Sequence, residues 1–383
     1  MKNIRVLHVL HSHSWGGLEL YTVELIKKLA STGHTQHVLC FSDSRARKEL
    51  SADNIVVIPT ATAKISKLAE ARAIRKAIAK YDITHLHSHS RVDMWACAMA
   101  RWFNQDIKHV YNLYMNAVPK KDFVHRELFK RVDALCSSSE TILNDVRVNF
   151  PIAPEKLHLI RYGRETEIFK HDPQVRASIR DLHHVQAKEL VIGTLCRIDA
   201  GKGVRELVDS LEFLTDEELQ KIQLWIIGAP TTTGQDAAGN TTYEEESWNL
   251  FSWLQEKIKT PRLRNHLVHI PFQKEYIRYI DALDIFTLAS YNETYSLSVL
   301  DAMMMGKPVI GTNAGGTPEQ TGKNERGILA EPRSAKSLAE CIRTYLKNPE
   351  LIQTQGAKAQ KWALANHNWP STLNQFLKLY QEI

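Results

Sequence analysis

Residues 291–311 read YNETYSLSVLDAMMMGKPVIG, and this stretch indicates the architecture of the chain. Its middle is an apolar run that predicts a helix starting near Leu297 and ending at Gly306. PVIG then opens a β-branched segment that reads as a buried strand. Glu293 stands just before the helix and Asp301 stands inside it. Because open α/β sheets bind ligands outside the carboxyl ends of their strands, we expect both carboxylates at such an edge.

The same alternation of strands and helices runs along the whole chain. Buried strands are predicted at IRVLHVLHS, ITHLHSHS, LVIGTLCRID, IQLWIIGAP and DIFTLAS, with helical stretches such as WGGLELYTVELIKKLASTG between several of them. Such alternation favours parallel sheets covered by helices. The segment FPIAPEKLHLIRYGRETEIFK interrupts it with two prolines and a glycine. We therefore predict an α/β protein with two doubly wound, Rossmann-like domains.

The domain boundaries follow from that interruption. We place the first domain at residues 1–168, the second at residues 169–362, and a C-terminal amphipathic helix at residues 363–383. The length of 383 residues fits this division, because a single core rarely grows beyond about 250–300 residues. The polar segment TTTGQDAAGNTTYEEE is expected to be a long surface loop of the second domain.

Composition excludes several classes of protein. Hydrophobic residues make up 43% of the chain and charged residues 24%, as in ordinary soluble domains. No apolar run approaches about 18 residues, so we expect no membrane span, and the start of the chain does not resemble a secretory signal. The five cysteines form no CxxC pair, which favours a reducing, cytoplasmic location. We expect no nucleic-acid partner, because no zinc-finger spacing or RNP-like run occurs.

The net charge of +6 comes with two cationic amphipathic segments, KLAEARAIRKAIAK and PKKDFVHRELFKR. Each segment can be a solvated helix face. The alternative is a weak surface for an anionic membrane or another polyanion. We keep both interpretations, the second as a peripheral contact with the inner face of the plasma membrane.

Three pieces of sequence follow predicted strands and can contact an anion. Gly16 and Gly17 lie between the first strand and its helix, where they allow close backbone approach or simply make a tight turn. Arg197 and Lys202, in CRIDAGKGV, can grip a diphosphate from two sides. Gly228, after the strand of LWIIG, is expected at the same edge, although turn geometry explains it equally well.

The fourth piece is the stretch quoted first. The backbone N–H groups of Tyr295, Ser296 and Leu297 are expected to be unpaired at the helix start, where the helix dipole attracts a phosphate. Glu293 is an acceptor suited to sugar hydroxyls, and Asp301 can accept from a second diol such as a ribose. The four pieces together describe a nucleotide-diphosphate sugar.

The histidines raise the question of a metal site. His85, His87 and His89 alternate along one predicted strand and share a face, as do His11 and His13. No carboxylate or cysteine nearby in the sequence completes a ligand set. We therefore predict packing or cleft-lining roles for these histidines and no metal site.

The motifs GGLE, DITHLHSHS, DALCSSSE, CRIDAGKG and YNETYSLSVLDAMMMGKPVIGTNAGGTPE resemble the retaining glycosyltransferases of family 4, which have the GT-B fold. This resemblance covers nearly the whole chain. It implies an acceptor-binding first domain and a donor-binding second domain, with no metal and no cofactor. By resemblance, Arg197 and Lys202 bind the donor diphosphate, Glu293 contacts the sugar, and these three residues are the catalytic candidates. The loop of Gly16 and Gly17 would approach the phosphates.

Two departures from the family concern the donor. Asp301 stands where the family has a ribose-binding glutamate, and Tyr114 stands where it has a histidine close to the donor sugar. The implied function is retaining transfer from a UDP or GDP sugar to a glycan or lipid-linked glycan, in assembly of bacterial lipopolysaccharide, O-antigen or capsule. A non-catalytic sugar-nucleotide-binding subunit and a nucleotide-sugar 2-epimerase remain the alternatives.

Overall fold

A computed structural model describes residues 4–50, 54–61, 66–236 and 238–383. The chain divides into two compact units. Unit 1 comprises Met1–Arg164 together with His367–Ile383, and unit 2 comprises Glu165–Asn366. The sequence analysis placed these divisions at 168/169 and 362/363.

The strands are short and mostly buried. They are β1 (Val6–Leu10), β2 (Gln36–Phe41), β3 (Ile55–Thr60), β4 (His85–Ser88), β5 (Lys108–Asn112), β6 (Ala134–Ser137), β7 (Leu157–Leu159), β8 (Leu190–Leu195), β9 (Ile222–Ile227), β10 (Thr232–Gln235), β11 (Thr241–Tyr243), β12 (Leu267–Ile270), β13 (Ile285–Leu288), β14 (Val309–Thr312) and β15 (Gly327–Ala330).

The α-helices lie between these strands and after the last one. They are α1 (Gly17–Ser31), α2 (Arg45–Glu49), α3 (Lys67–Tyr81), α4 (Arg91–Ala100), α5 (Phe123–Phe129), α6 (Glu140–Asn149), α7 (Pro173–Leu182), α8 (Val204–Asp209), α9 (Asp216–Leu219), α10 (Glu245–Lys259), α11 (Tyr276–Ala282), α12 (Leu297–Met304), α13 (Thr317–Thr321), α14 (Ala335–Lys347), α15 (Glu350–Asn366) and α16 (Trp369–Glu382).

Unit 1 is built on a seven-stranded parallel sheet with the order β3-β2-β1-β4-β5-β6-β7. The first strand is central, and the chain runs outward from it in both directions. All five residues of β1 are buried, as expected for a strand with both faces covered. The last helix, α16, belongs to this unit, where Phe376 and Tyr380 are buried and the Tyr380 hydroxyl lies 2.7 Å from Nδ1 of His87.

Unit 2 repeats the plan with a six-stranded parallel sheet in the order β12-β9-β8-β13-β14-β15. Strand β8 neighbours both β9 and β13, so the chain reverses direction across the sheet at this point. The apolar face of α14 (Leu338, Ala339, Ile342 and Tyr345) packs into the same core as β8 and β9. The prediction of an α/β protein with two doubly wound domains is confirmed.

The segment expected to be a surface loop forms a hairpin instead. Strands β10 and β11 pair antiparallel, so that prediction is wrong. The threonines of this segment favour extended backbone. Asp236 makes the turn, since its Oδ1 accepts from the backbone N–H groups of Ala238 and Asn240.

Within the described residues, no helix combines the length and hydrophobicity that crossing a bilayer requires.

Candidate active site

In unit 2 the candidate site residues lie in the loops that follow neighbouring parallel strands. Strands β8, β13 and β14 lie side by side, and the loops after them carry Lys202, Glu293 and Gly315 respectively. The site therefore lies at the switch point of the sheet, which is where open α/β sheets bind ligands.

Lys202 and Glu293 form the centre of this site. The Lys202 ammonium donates to Oε2 of Glu293 at 2.6 Å, and the side chains are 25% and 18% exposed. Burial lowers the pKa of Lys202, but the Glu293 carboxylate beside it more than offsets this effect and raises the pKa above its ordinary value. Lys202 is therefore a permanent cation near neutral pH. The two residues, far apart in sequence, were predicted as site residues, and the structure brings them into contact.

The Lys202 loop has a conformation that requires a glycine. Lys202 ends a 3₁₀ turn, Ala200–Lys202, and Gly203 follows with φ of +65°. A Cβ on Gly203 would lie 2.0 Å from the carbonyl oxygen of Ala289, at the end of β13. This close approach fixes the loop of β8 against the loop of β13 and so sets the distance between the ammonium and the carboxylate.

Arg197 lies earlier on the same loop and is more open to solvent. Its side chain is 62% exposed, and a guanidinium nitrogen lies 3.5 Å from Oδ2 of Asp199. Such an exposed pair is weak, so the guanidinium can turn toward an incoming anion at low energetic cost. Arg197 and Lys202 together supply two cations on one strand-to-helix loop.

Glu293 is held, at both its backbone and its side chain, by residues that the sequence analysis did not single out. Its carbonyl oxygen accepts from the N–H of Gly316 at 2.8 Å. Ser290 donates its hydroxyl to Glu293 Oε2 at 3.4 Å. The quoted motif NAGG was the available signal for Gly316, since a glycine pair after a strand permits this close approach of two backbones.

The start of α12 differs from the prediction at Ser296. Ser296 is the N-cap, and its hydroxyl accepts from Val299 N–H at 3.3 Å. The backbone N–H of Ser296 was expected to be unpaired, and this is wrong, because it donates to Oε1 of Gln320 at 3.0 Å. Gln320 also donates to the Ser296 carbonyl at 2.9 Å, so this buried side chain holds the peptide groups on both sides of Ser296. Tyr295 is buried, and Leu297 begins the helix as predicted.

Asp301 is held inside α12 rather than at its exposed end. The residue is 3% exposed, and its Oδ2 accepts from the Tyr276 hydroxyl at 2.9 Å. Tyr276 is the first residue of α11. A tyrosine hydroxyl therefore orients this buried carboxylate, and the role of Asp301 toward a ribose stays a prediction.

Gly228 is required by strand packing. Its φ is +148°, and a Cβ would lie 1.9 Å from the carbonyl oxygen of Cys196, at the end of β8. Its N–H donates to the carbonyl of Ile270 at 2.9 Å, and its own carbonyl lies 2.9 Å from Nε2 of His269. This geometry accounts for the glycine, and its role toward a donor stays a prediction.

The predicted pair Gly16 and Gly17 lies in unit 1, at the start of α1. Gly16 has extended backbone, and its N–H donates to Oε2 of Glu19 at 3.0 Å. Ser12 donates to the other oxygen of Glu19 at 2.7 Å. The N–H of Gly16 is therefore engaged by a carboxylate, and Gly17 is the first helical residue.

Tyr114 also lies in unit 1. Its hydroxyl accepts from Nδ2 of Asn112 at 2.9 Å and lies 3.2 Å from Nδ1 of His89. Burial raises the pKa of this phenol above its ordinary value, so the hydroxyl stays protonated near neutral pH. Its part in place of the family's histidine stays a prediction.

Two clusters in unit 1 bring together side chains of the kind that bind metals. One contains His8, His87 and His89, and the other contains His11, Glu70 and Asp93.

In unit 2 a cleft of about 530 Å³ adjoins the Lys202 loop and is lined by Ala200, Arg205, Glu245, Glu246, Asn249, Leu250 and Tyr291. None of the predicted donor-binding residues lines that cleft.

Comparisons with known proteins identify the family of the chain. Residues 15–168 match the family described as Glycosyltransferase Family 4, and residues 175–362 match Glycosyl transferases group 1. The D-inositol 3-phosphate glycosyltransferase of Corynebacterium glutamicum (strain R) is 21% identical, over 96% of this chain and 92% of its own. These matches cover both units.

Solved structures share the fold. A glycosyltransferase from Rickettsia africae ESF-5 has a TM-score of 0.85 at 22% identity, over 100% of this chain and 99% of that one. Anabaena Alr3699/HepE, in complex with UDP and glucose, has a TM-score of 0.81 at 18% identity, over 99% of this chain and 100% of that one. The fold is thus the GT-B fold, and its class is that of the glycosyltransferases. The chain belongs to the family 4 glycosyltransferases, as the resemblance of its motifs predicted.

Proposed function

We propose that the protein transfers a sugar from a nucleotide-diphosphate sugar to a glycan acceptor, with retention of configuration at the anomeric carbon. The observation that carries this proposal is the Lys202–Glu293 pair at the carboxyl ends of neighbouring strands, with Arg197 exposed on the same loop. Two cations suit a diphosphate, and a carboxylate suits sugar hydroxyls. UDP or GDP is the expected nucleotide.

The same residues can stabilise the departing diphosphate. An ammonium has three N–H donors, and the hydrogen bond to Glu293 uses one of them, so Lys202 can bind a phosphate oxygen while it orients the carboxylate. Negative charge grows on the diphosphate as the bond to the sugar breaks, and Arg197 and Lys202 lower the energy of that state. We expect the transfer to need no metal ion at the donor site, because these two cations supply the positive charge.

No side chain is assigned as a covalent nucleophile. In the proposed step an oxygen of the leaving diphosphate takes the proton of the acceptor hydroxyl, and that hydroxyl oxygen forms the new bond to the anomeric carbon. Glu293 holds the donor sugar through its hydroxyls, and Asp301 with Tyr276 holds the ribose. Exclusion of water from the site would limit hydrolysis of the donor.

The test is transfer of radiolabelled sugar from UDP and GDP sugars to lipid extracts, with Glu293→Gln as the variant. We expect the variant to lose at least about 100-fold in rate, because the neutral amide neither pairs with Lys202 nor accepts from sugar hydroxyls as strongly. Glu325→Gln is the matched control, since that carboxylate is 69% exposed on the surface of the same unit. Wild-type turnover by Glu293→Gln contradicts the proposal, and donor binding without transfer or hydrolysis would favour a non-catalytic subunit.

We further propose a lipid-linked acceptor of the lipopolysaccharide, O-antigen or capsule class, used at the inner face of the plasma membrane. Residues 115–130 of unit 1 support this proposal, because four apolar side chains there are about half exposed or more: Met115, Val118, Phe123 and Val124. The cations Lys121, Arg126 and Lys130 are exposed in the same segment. Apolar anchors among cations are typical of proteins that lie on anionic membranes.

Co-sedimentation with lipid vesicles tests this acceptor location. We expect binding to vesicles rich in phosphatidylglycerol, weaker binding to pure phosphatidylcholine, and loss of binding in Phe123→Ser. The control is Phe272→Ser, which removes a side chain that is 75% exposed in unit 2. Equal binding of both variants and of the wild type would rule out residues 115–130 as the contact.

A further inference from the structure

Three acid–base side chains from separate elements of unit 1 meet at the carboxyl end of its central strand. His11 follows β1, Glu70 lies in the first turn of α3, and Asp93 lies in the first turn of α4. Nδ1 of His11 is 2.8 Å from Oε1 of Glu70 and 3.9 Å from Oδ1 of Asp93. One nitrogen or oxygen of each residue lies within 4.8 Å of one from each of the others.

This cluster is closed to solvent. The side chains of His11, Glu70 and Asp93 are 2%, 1% and 0% exposed. Oδ2 of Asp93 is buried and has no hydrogen-bond partner within the described residues. A buried carboxylate oxygen without a donor is rare in folded proteins, and it calls for a bound ion, an ordered water or a proton.

The acidic groups of the cluster also lack a permanent cation. Within the described part of the chain, no lysine or arginine forms an ion pair with Glu70 or Asp93, and the His11 ring is the basic group that lies beside both. Both carboxylates lie at helix N-termini, where the helix dipole stabilises part of their charge. That effect supplies no donor to Asp93 Oδ2. Two buried carboxylates and an imidazole therefore call for a cation or for protons.

The separations are close to those of ligands that share one metal ion. Zinc lies about 2.0–2.2 Å from histidine nitrogen and carboxylate oxygen, so two ligands of one ion stand roughly 3–4 Å apart. The 3.9 Å separation between His11 and Asp93 falls in this range, and the 2.8 Å hydrogen bond between His11 and Glu70 would lengthen slightly around an ion. The other ring nitrogen of His11, Nε2, lies 3.0 Å from the Thr60 hydroxyl, the kind of outer contact that orients a metal-binding histidine.

We propose that His11, Glu70 and Asp93 bind one divalent transition-metal ion, with Mn²⁺ or Zn²⁺ as the expected class. Imidazole and carboxylate ligands suit these ions. The ion neutralises the buried carboxylates and ties the first turns of α3 and α4 to the end of β1. It lies in unit 1 and takes no part in the donor chemistry proposed for unit 2. The sequence could not indicate this set, because its three ligands come from distant segments.

The test uses the full-length chain after dialysis against a chelator. Calorimetric titration with Mn²⁺ and with Zn²⁺ should give one bound ion per chain, and Co²⁺ should give the visible absorption of a protein-bound ion. We expect the melting temperature to rise on metal addition, as for any ligand of the folded state. The isosteric variants Asp93→Asn and Glu70→Gln should bind at least about 10-fold more weakly.

The matched control is Asp43→Asn, which alters an exposed histidine–aspartate pair in the same unit, with Asp43 Oδ1 3.0 Å from Nε2 of His13. This variant should bind metal like the wild type. Circular dichroism shows whether each variant folds, and Glu70→Gln keeps the test decisive if Asp93→Asn does not. Absence of binding to the wild type, or equal binding by all three variants, overturns the proposal. A metal-insensitive wild type that is stabilised by Asp93→Asn would show that the cluster holds a proton instead.

Discussion

At the scale of single residues, the hydrogen bond from Tyr276 to Asp301 is the contact that bears on the proposed ribose-binding role of this carboxylate. The tyrosine hydroxyl, 2.9 Å from Oδ2, is placed to orient it. In the proposed site Tyr276 acts through Asp301 and is a positioning residue.

Removing the hydroxyl tests this role. We expect Tyr276→Phe to raise the KM for the donor about 3- to 10-fold and to leave kcat nearly unchanged. A hydrogen bond to a charged group contributes about 1.5–3 kcal/mol at most. This hydrogen bond orients a group that binds the donor and takes no part in breaking its bond, so its loss should appear in KM. Steady-state kinetics with the donor varied give both constants. Tyr279→Phe, on the same helix, should behave as the wild type. A fall in kcat at constant KM would contradict the role assigned to Tyr276.

Residue contacts were partly readable from the sequence. Lys202 and Glu293 could be predicted to lie at one edge of the sheet, because each lies in the loop after a predicted strand and the carboxyl ends of parallel strands share an edge, but their ion pair was not predicted. Gln320 could not be predicted, because nothing in its neighbourhood indicates that it would fold back onto the Ser296 peptide. Glu70 and Asp93 look like ordinary first-turn acids until tertiary packing brings them to His11.

At the scale of elements, the loop after β8 decides the geometry of the site. Gly203 allows it to approach the end of β13 within contact of Ala289. Any side chain at residue 203 must displace one of the two loops. That displacement would change the distance between Lys202 and Glu293.

This dependence predicts a contrast between two glycines of one loop. Gly203→Ala should lower the free energy of unfolding by about 1–3 kcal/mol, because it adds strain at positive φ, and should weaken donor binding as well. Gly201→Ala should have little effect, since its Cβ would meet Asp199 Oδ1 at 3.4 Å, an acceptable contact. Urea unfolding of both variants measures the free energy of unfolding, and nucleotide titration measures donor binding. Equal behaviour of the two variants would show that the loop tolerates a side chain at residue 203.

Elements were predicted well where their pattern was long and apolar, as in β1, β8 and β9. The hairpin of β10 and β11 was missed, because a polar composition suggested a loop while the threonines formed short strands. The helix start at Leu297 was predicted correctly from the change in pattern at that residue.

At the scale of the whole molecule, unit 1 is built around neutral histidines. Burial lowers the pKa of His8 to about 4 and that of His109 to about 3, and it lowers the pKa values of His87 and His89 well below the ordinary range. The Nε2 of His8 lies 3.0 Å from Gln36 Oε1, and this hydrogen bond offsets only part of the effect of burial on the His8 pKa. These histidines bind protons more readily in the unfolded chain than in the folded one.

Unit 1 should therefore become less stable as the pH falls. The contribution of these neutral histidines to stability is fully present above the pKa of the unfolded chain, near 6.5. For His8 this contribution is lost progressively as the pH falls from 6.5 to about 4. The loss is roughly 1.4 kcal/mol per pH unit for each such histidine. Amide hydrogen exchange in the β1 and β4 segments, measured across this pH range, reports the stability of unit 1 separately from that of unit 2. His8→Gln should reduce the slope, and His34→Gln, at an exposed residue, should not. Protection of β1 and β4 that stays constant down to pH 4 would contradict the account.

The most direct test of the donor site is calorimetric titration of UDP and of GDP into the wild type and into Lys202→Met, with Lys336→Met as an exposed-lysine control in the same unit. We predict that one of the two nucleotides binds the wild type and the control equally, without added metal. Lys202→Met should bind that nucleotide at least about 10-fold more weakly, because the diphosphate loses a charge-assisted hydrogen bond. Nucleotide binding that is unchanged in Lys202→Met, or absent from the wild type, would contradict a donor site at the ends of β8 and β13.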